Sequence, residues 1–325
     1  MVTQHRLSWS HGEAIVLTTA AMLADCTFHL PNGPFAPFAR APWMGTVTDP
    51  SIIGHLRELG GDFVGVPFGS GGAGQDVPPD WAPLMRDPPY RPIHGPAADA
   101  DWTIIKASDT AITLALDYPE TSPVSRLVRT IAARPNAAAL DFTLTIHARR
   151  SAKTSVGLHP IFRLPEISGD LQIDAEFDFG LVHPRQTVPG QSQEFSSLAA
   201  VPQGEMLVDL AHPPLAQANL NVQLCGMRGP LTATYRKLGA GIVLDWDRTL
   251  LPSLQIWHTN RGIAGPPWNN SYRGLGLEPI AAAFDLHDDV STGSNPINAR
   301  GVATAIAIHP EEPTRITHSV VAFVA

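Results

Sequence analysis

An all-β fold, built as one large antiparallel β-sandwich with few short helices, is what the sequence predicts, and three observations lead there. Pro and Gly are abundant (31 and 27 in 325 residues) but scattered, and they punctuate short segments rich in β-branched and apolar residues. Strand-like segments do not alternate with long helical patterns, which sets aside a parallel α/β sheet. No fixed-period repeat is visible, which sets aside a propeller or a solenoid. At 44% hydrophobic the chain can bury a large core, and with no convincing boundary along it residues 1–325 read as a single domain.

The elements follow in order. Asp49-Pro50, then Ile52, Ile53 and Leu56, then Gly60-Gly61 supply a cap, a first-turn proline and a terminal glycine for one short helix. Residues 112–118, 127–133 and 138–148 read as strands. Within 125–149 they form a hairpin with Arg134-Pro135-Asn136 as its turn. In the second arm Leu140, Phe142, Leu144 and Ile146 alternate with Asp141, Thr143, Thr145 and His147, so one face is buried and the other wet. Residues 171–177, 242–246, 254–257 and 319–324 read as further strands, and 192–200 as a second short helix.

Composition excludes several classes of function. The net charge is −8, the pI is near 5.9 and Lys and Arg do not cluster, so neither nucleic acid nor an anionic membrane is an expected partner. The apolar stretch 14–24 is too short to span a bilayer. No basic region, apolar core and cleavage site open the chain, so a cytoplasmic location is expected. Cys26 and Cys225 each stand alone in apolar surroundings and read as buried reduced thiols; without CxxC or CxxH spacing they cannot build a zinc site. Asp285-Leu286-His287-Asp288-Asp289 is dense in possible ligands, but adjacency spreads its carboxylates over different faces, and it reads as a solvated turn. No Gly-x-Ser-x-Gly or His-Glu-x-x-His motif is present.

The chemistry concentrates in three islands. Gly157-Leu158-His159-Pro160-Ile161-Phe162 and Gly276-Leu277-Glu278-Pro279-Ile280 each place one ionisable side chain in an apolar run, followed by a proline expected to end regular pairing. Pro92-Ile93-His94-Gly95 sets a histidine on a loop fixed by Pro and Gly. By residue chemistry alone His94 is either a projecting histidine or one bonded to backbone, and His159 either a working acid or a satisfied core side chain. Glu278 is costly to bury unless it pairs or does work. A histidine and a glutamate held this way can form an acid/base couple.

These islands, in this order, resemble those of the aldose 1-epimerase (galactose mutarotase-like) family. The resemblance covers the chain from about Arg57 to the C-terminus. It implies a β-supersandwich and the interconversion of α and β anomers of an aldose or a derivative. Glu278 is then the base that takes the anomeric hydroxyl proton, His159 the acid that protonates the ring oxygen, and His94 a contact to a sugar hydroxyl. Ile161 stands where the family more usually has an aromatic residue. The stretch 60–69 is similar to one in hexose-phosphate mutarotase relatives that carry an arginine just before two glycines; here Leu59 fills that position. The resemblance therefore places a sugar-anchoring arginine at Arg57, with Arg40 as the rival. The resemblance also nudges Trp257 toward the pocket rim, with Trp268-Asn269-Asn270 nearby. The Gly-rich loop 69–74 carries no lysine and reads as a flexible loop rather than a phosphate nest. Only protons move, so no cofactor is expected. A non-catalytic carbohydrate-binding or sensing domain, or a lyase or isomerase acting on a modified sugar, are the alternatives the same fold admits. His94, His159 and Glu278 are expected to meet in one pocket, with Glu278 ionised and His159 protonated.

Overall fold

The computed structural model describes residues 3–52, 54–69, 77–85, 93–187 and 191–325. Pro92 of the third island and most of the loop 69–74 lie outside them.

The alternating pattern of the hairpin sets the architecture. Strand Val124–Ala133 pairs antiparallel with Ala139–Ala148, and Asn136 turns between them with φ +58°. Leu140, Phe142, Leu144 and Ile146 are each 2% exposed or less, while Asp141, Thr143, Thr145 and His147 are only partly covered. Each such apolar side chain contributes roughly 1.5–3 kcal/mol of burial. Around this hairpin an eight-stranded sheet runs in the order Leu171–Asp174, Leu231–Tyr235, Ala240–Trp246, Thr314–Val324, Ala139–Ala148, Val124–Ala133, Ala111–Asp117 and Thr103–Ala107. A second, eleven-stranded sheet packs against it among the described residues; its path runs Gln4–Trp9, Gly12–Leu17, Leu23–Leu30, Asp62–Gly65, Val156–Phe162, Arg273–Ala281, Ser253–Asn260, Ala218–Cys225, Phe179–Val182 and Glu194–Phe195, and Gly33–Phe35 pairs off it with Leu23–Leu30. All the pairings in both are antiparallel, and one core joins Leu7, Val16 and Phe28 of one sheet to Leu114, Leu127 and Leu144 of the other. The chain is therefore the all-β sandwich expected of it.

Several local expectations change. The first helix shrinks to Gly54–Arg57; Asp49 instead closes a separate turn, accepting from Ser51 N at 2.9 Å. The stretch 192–200 is not helical: Glu194–Phe195 is an edge strand paired to Gly180 and Leu181, because Phe195 is needed under that edge. The strand beginning at Leu171 ends at Asp174 rather than 177. Neither Pro160 nor Pro279 ends its strand, so His159 and Glu278 are mid-strand. Both prolines fall in the same short stretch of the ladder between Val156–Phe162 and Arg273–Ala281. Pairing lapses there and resumes on each side, at Gly157 opposite Ile280 and Ile161 opposite Gly276. Cys26 and Cys225 are buried free thiols. No helix among the described residues is long and apolar enough to cross a membrane.

Candidate active site

One face of the larger sheet supplies the floor of a cavity of about 300 Å³. Alternate residues of neighbouring strands point into it: Phe63, His159, Glu278, Gln255 with Trp257, and Asn219 with Asn221. The register on either side of the proline gap sets His159 opposite Glu278, with Nε2 3.4 Å from Oε1. Gln255, paired with Glu278 on the other side, donates from Nε2 to Oε2 at 3.0 Å. Gly276 precedes Glu278 on the same face, and a Cβ there would collide with Oε1, so only glycine lets the carboxyl lie along its strand.

His94 comes from the loop beside Asp62–Gly65 and holds a left-handed backbone, φ +60°, that a histidine rarely adopts. Its N–H donates to Gly69 O at 2.8 Å, and its Nδ1 accepts from Gly69 N at 3.3 Å. The neutral ring therefore carries its proton on Nε2. The His94 and His159 rings meet edge to face, with centroids 5.1 Å apart. His94, His159 and Glu278 thus line one cavity although they are far apart in sequence.

Burial governs the ionisation of all three. Glu278 is fully enclosed; desolvation, reinforced by the charge of Asp285 and only partly offset by Gln255, holds its carboxyl well above the usual carboxylate range. Desolvation and then His55 pull the His159 imidazole down to about 3, against a backbone hydrogen bond and Asp285. Desolvation and then His159 and His55 hold His94 well below the ordinary histidine value. Burial thus favours the neutral forms of both groups, and among the described residues no lysine or arginine is bonded to the Glu278 carboxyl. Arg273, the nearest arginine in sequence, instead pairs with Glu166 and donates to Asn260 Oδ1 at 3.1 Å. Two polar atoms of the couple, Nδ1 of His159 and Oε1 of Glu278, have no hydrogen-bond partner among the described residues.

The anchoring arginine is where the sequence reading needs correcting. Arg57 donates to Val47 O at 2.9 Å, and Arg40 lies 3.8 Å from Asp25 on the surface; neither is among the residues that line the cavity. The arginine at the rim is Arg185. Trp257 does line it, with its Nε1 donating to Asn219 Oδ1 at 3.0 Å and Trp268 packed edge-on against it at 5.7 Å.

The acidic stretch 285–289 is solvated at Asp289 but not throughout. Asp285 enters the cavity wall, 2.8 Å from Nε2 of His183, whose Nδ1 accepts from Arg185 N at 3.1 Å. Burial works to raise the Asp285 carboxyl, but His183, then His94 and Arg185, hold it well below the usual range. Asp288 turns elsewhere, its Oδ1 accepting from Ser155 N and Oγ, each at 2.7 Å. Among the described residues no group of three or more His, Cys, Asp or Glu side chains is arranged to hold a metal ion.

Several lining residues escaped the sequence reading: His55, His183, Asp285, Gln255, Asn219 and Asn221. A signal for the amides was present, since Asn219, Asn221 and Gln223 alternate with Leu220, Val222 and Leu224. A row of polar side chains on one face of an otherwise apolar strand marks a lined cavity as readily as a wet surface.

No family model and no curated protein matches the sequence. Solved structures do match over the full length. A candidate aldose 1-epimerase from Escherichia coli superposes with a TM-score of 0.68 at 16% identity, covering 100% of both chains. An aldose epimerase homologue from C. elegans gives 0.67 at 11% identity, again covering 100% of both. A galactose mutarotase-like protein from Lactobacillus casei gives 0.62 at 15% identity, covering 99% of this chain and 100% of its own. The likeness is one of fold: the sandwich has the galactose mutarotase-like architecture.

Proposed function

We propose that the protein interconverts the α and β anomers of an aldose or a close derivative, with Glu278 and His159 as the proton-transferring pair. The observation that carries this reading is the buried His159–Glu278 couple, 3.4 Å apart on the floor of a monosaccharide-sized cavity. Glu278 takes the proton of the anomeric hydroxyl while His159 gives one to the ring oxygen, and the ring opens to the aldehyde. Rotation about C1–C2 and reversal of both transfers close the ring on the other face.

The neutral forms that burial favours fit this cycle. Glu278 carboxylate with His159 imidazolium, and Glu278 carboxylic acid with neutral His159, are two tautomers of a couple that shares one proton. Ring opening converts the first into the second. The apolar setting favours the neutral tautomer, which is the one that accompanies the open-chain aldehyde, so the site lowers the energy of the state hardest to reach in water. His94, with Nε2–H directed by its bond to Gly69, suits a sugar oxygen as a donor. Trp257 and Phe63 offer faces to sugar C–H groups.

A binding module without turnover fits the cavity less well. Keeping Glu278 buried with one amide bond and an unpartnered oxygen costs stability, and a mere binder recovers nothing for that cost.

The test is a panel of freshly dissolved single-anomer sugars followed by polarimetry or NMR. Accelerated approach to anomeric equilibrium for at least one sugar is expected. A protein that binds sugars and accelerates none of them has the binding role instead.

A further inference from the structure

The wall beside the catalytic couple carries a second histidine–carboxylate pair that the proton transfers do not use. His55, on the helix Gly54–Arg57, lines the cavity and is 4% exposed. Its Nδ1 lies 3.1 Å from Oδ1 of Asp99, at the end of the helix Pro96–Asp99. The approach is built into the backbone. Gly54 has φ +55°, and a Cβ there would collide with Oδ1 of Asp99, so any other residue at 54 would push the two helices apart.

Ring packing fixes where His55 points. Its ring lies against Phe63, with centroids 4.9 Å apart at 31°, and the other face of Phe63 is stacked on His159 at 4.2 Å and 20°. The three rings form one stack with Phe63 as the spacer, so His55 presents its edge one ring beyond the catalytic imidazole. Its other ring nitrogen, Nε2, is not engaged by Asp99, and the residue belongs to the cavity lining.

Resting on the reading of this cavity as a sugar site, we propose that His55, oriented by Asp99, is a substrate-contacting residue that accepts a hydrogen bond from one ring-substituent hydroxyl and so selects how the sugar lies over the couple. The reason is chemical. With Nδ1–H donated to the Asp99 carboxylate, Nε2 is the ring nitrogen left to meet a ligand, and it offers a lone pair. Such an atom recognises a donor, and the carboxylate behind it disfavours an anionic group at the same place. The ligand at this wall is therefore an uncharged hydroxyl rather than a phosphate or a carboxylate. Asp99 acts through His55 and is a positioning residue.

The experiment uses a series of monodeoxy sugars, each lacking one hydroxyl of a sugar bound by the wild-type protein, with affinity read by NMR and anomer exchange read separately. H55L is expected to weaken the parent sugar about 5- to 10-fold, the range of one neutral hydrogen bond. It should leave one member of the series bound as well as the wild type binds it, because that sugar no longer has the hydroxyl. D99N keeps the shape at 99 without fixing Nδ1–H. It should show the same selectivity to a smaller degree, raising KM with kcat largely kept, and it keeps the test sound should H55L fail to fold. Uniform weakening across the series, or none, overturns the proposal and leaves the mutarotase reading intact. Selective weakening without anomer exchange in the wild type overturns the mutarotase reading and leaves this one standing. A wild type that binds no sugar overturns both.

Discussion

One short strand, Asp62–Gly65, separates two buried acid–histidine clusters built from similar residues for opposite ends. On its cavity face Phe63 stacks on His159, which faces Glu278. On its other face Asp62 points between the sheets, where its Oδ2 accepts from Arg129 Nη2 at 2.6 Å and from His318 Nε2 at 3.0 Å. Arg129 also donates to Ala21 O at 2.8 Å, so the interior carboxylate has a fixed cation that is itself anchored. Among the described residues Glu278 has one amide donor and no arginine or lysine partner, and its Oε1 lies 3.4 Å from the His159 imidazole; Oδ1 of Asp62 also lacks a hydrogen bond, so the cation is what differs. The interior cluster holds its charges by pairing them; the cavity couple is driven to neutrality and left able to exchange a proton. The cation beside the carboxylate decides whether a buried acid serves structure or chemistry.

The comparison is broken most directly at the couple. Glu278→Gln keeps size and the Gln255 contact but removes the base, and kcat should fall by on the order of 10²–10⁴, the usual worth of one positioned acid or base. Its melting temperature should stay level or rise, because a desolvated carboxyl has gone. His159→Asn should cost a similar factor, and the double variant should lose far less than the product of the two. If Glu278→Gln unfolds the protein while the remaining folded fraction turns over normally, Glu278 belongs with Asp62 as a structural acid.

The interior cluster should give the mirror image. Asp62→Asn leaves the Arg129 charge buried without its partner and should cost about 3–5 kcal/mol in urea unfolding. Turnover per folded molecule should stay within a few-fold of wild type. A stable Asp62→Asn protein with abolished turnover would mean that the two faces of the strand are not separable.

Much of this contrast was legible in the chain, and the rest was hidden for physical reasons. The 124–148 hairpin could be read because strand alternation encodes which side is buried. His159 and Glu278 could be read because polar residues fenced by Gly and Pro stand out in apolar runs. The ionisation of Glu278 depends on which charges lie across the fold, and no spacing rule reports that Arg273 pairs with Glu166. Arg57 was placed by its distance from two glycines in sequence, whereas a helix of four residues turns its side chain to Val47. Asp285 was read as solvated because acids in a run usually are; its partner His183 lies 102 positions away.

The pH profile of turnover sharpens the comparison next. The couple is active while it holds one proton, so kcat/KM should fall on the acid side only when His159 also protonates, near its depressed value of about 3. On the alkaline side it should fall when the couple loses its proton through the raised Glu278 carboxyl. The limbs are thus assigned in the reverse of the usual carboxylate-then-imidazole order. The acid limb should therefore lie well below the ~6.5 at which an unperturbed histidine titrates. A limb centred near 6.5 that disappears in His159→Asn would show that the imidazole is not held neutral.

The smallest effect concerns how stability follows acidity. Burial depresses His159 to about 3 and His258 to about 4, and it also lowers His94 and His318. In the unfolded chain each returns to ~6.5. As pH falls below that value the unfolded state binds protons that the native state refuses, so the stability these groups contribute is present above ~6.5 and is lost as pH drops. Glu278 has the opposite sign. Its raised carboxyl gives stability that is fully present below its unfolded value and lost as pH rises through the folded one, which partly offsets the histidines. Going from pH 7 to pH 5, His159 and His258, with their values of about 3 and about 4, should each remove about 2 kcal/mol by this linkage. His159→Asn deletes one such group without touching the Arg129 cluster, so its urea midpoint should drop less between the two pH values than the wild type's does. His318→Asn also deletes one, but it takes away a donor to Asp62, so it should start lower at pH 7 and then fall with a similarly shallower slope. Equal drops in the wild type and His159→Asn would mean that His159 is solvated and free to protonate in the native protein, and the contrast between the two faces of the strand would then lose its electrostatic basis.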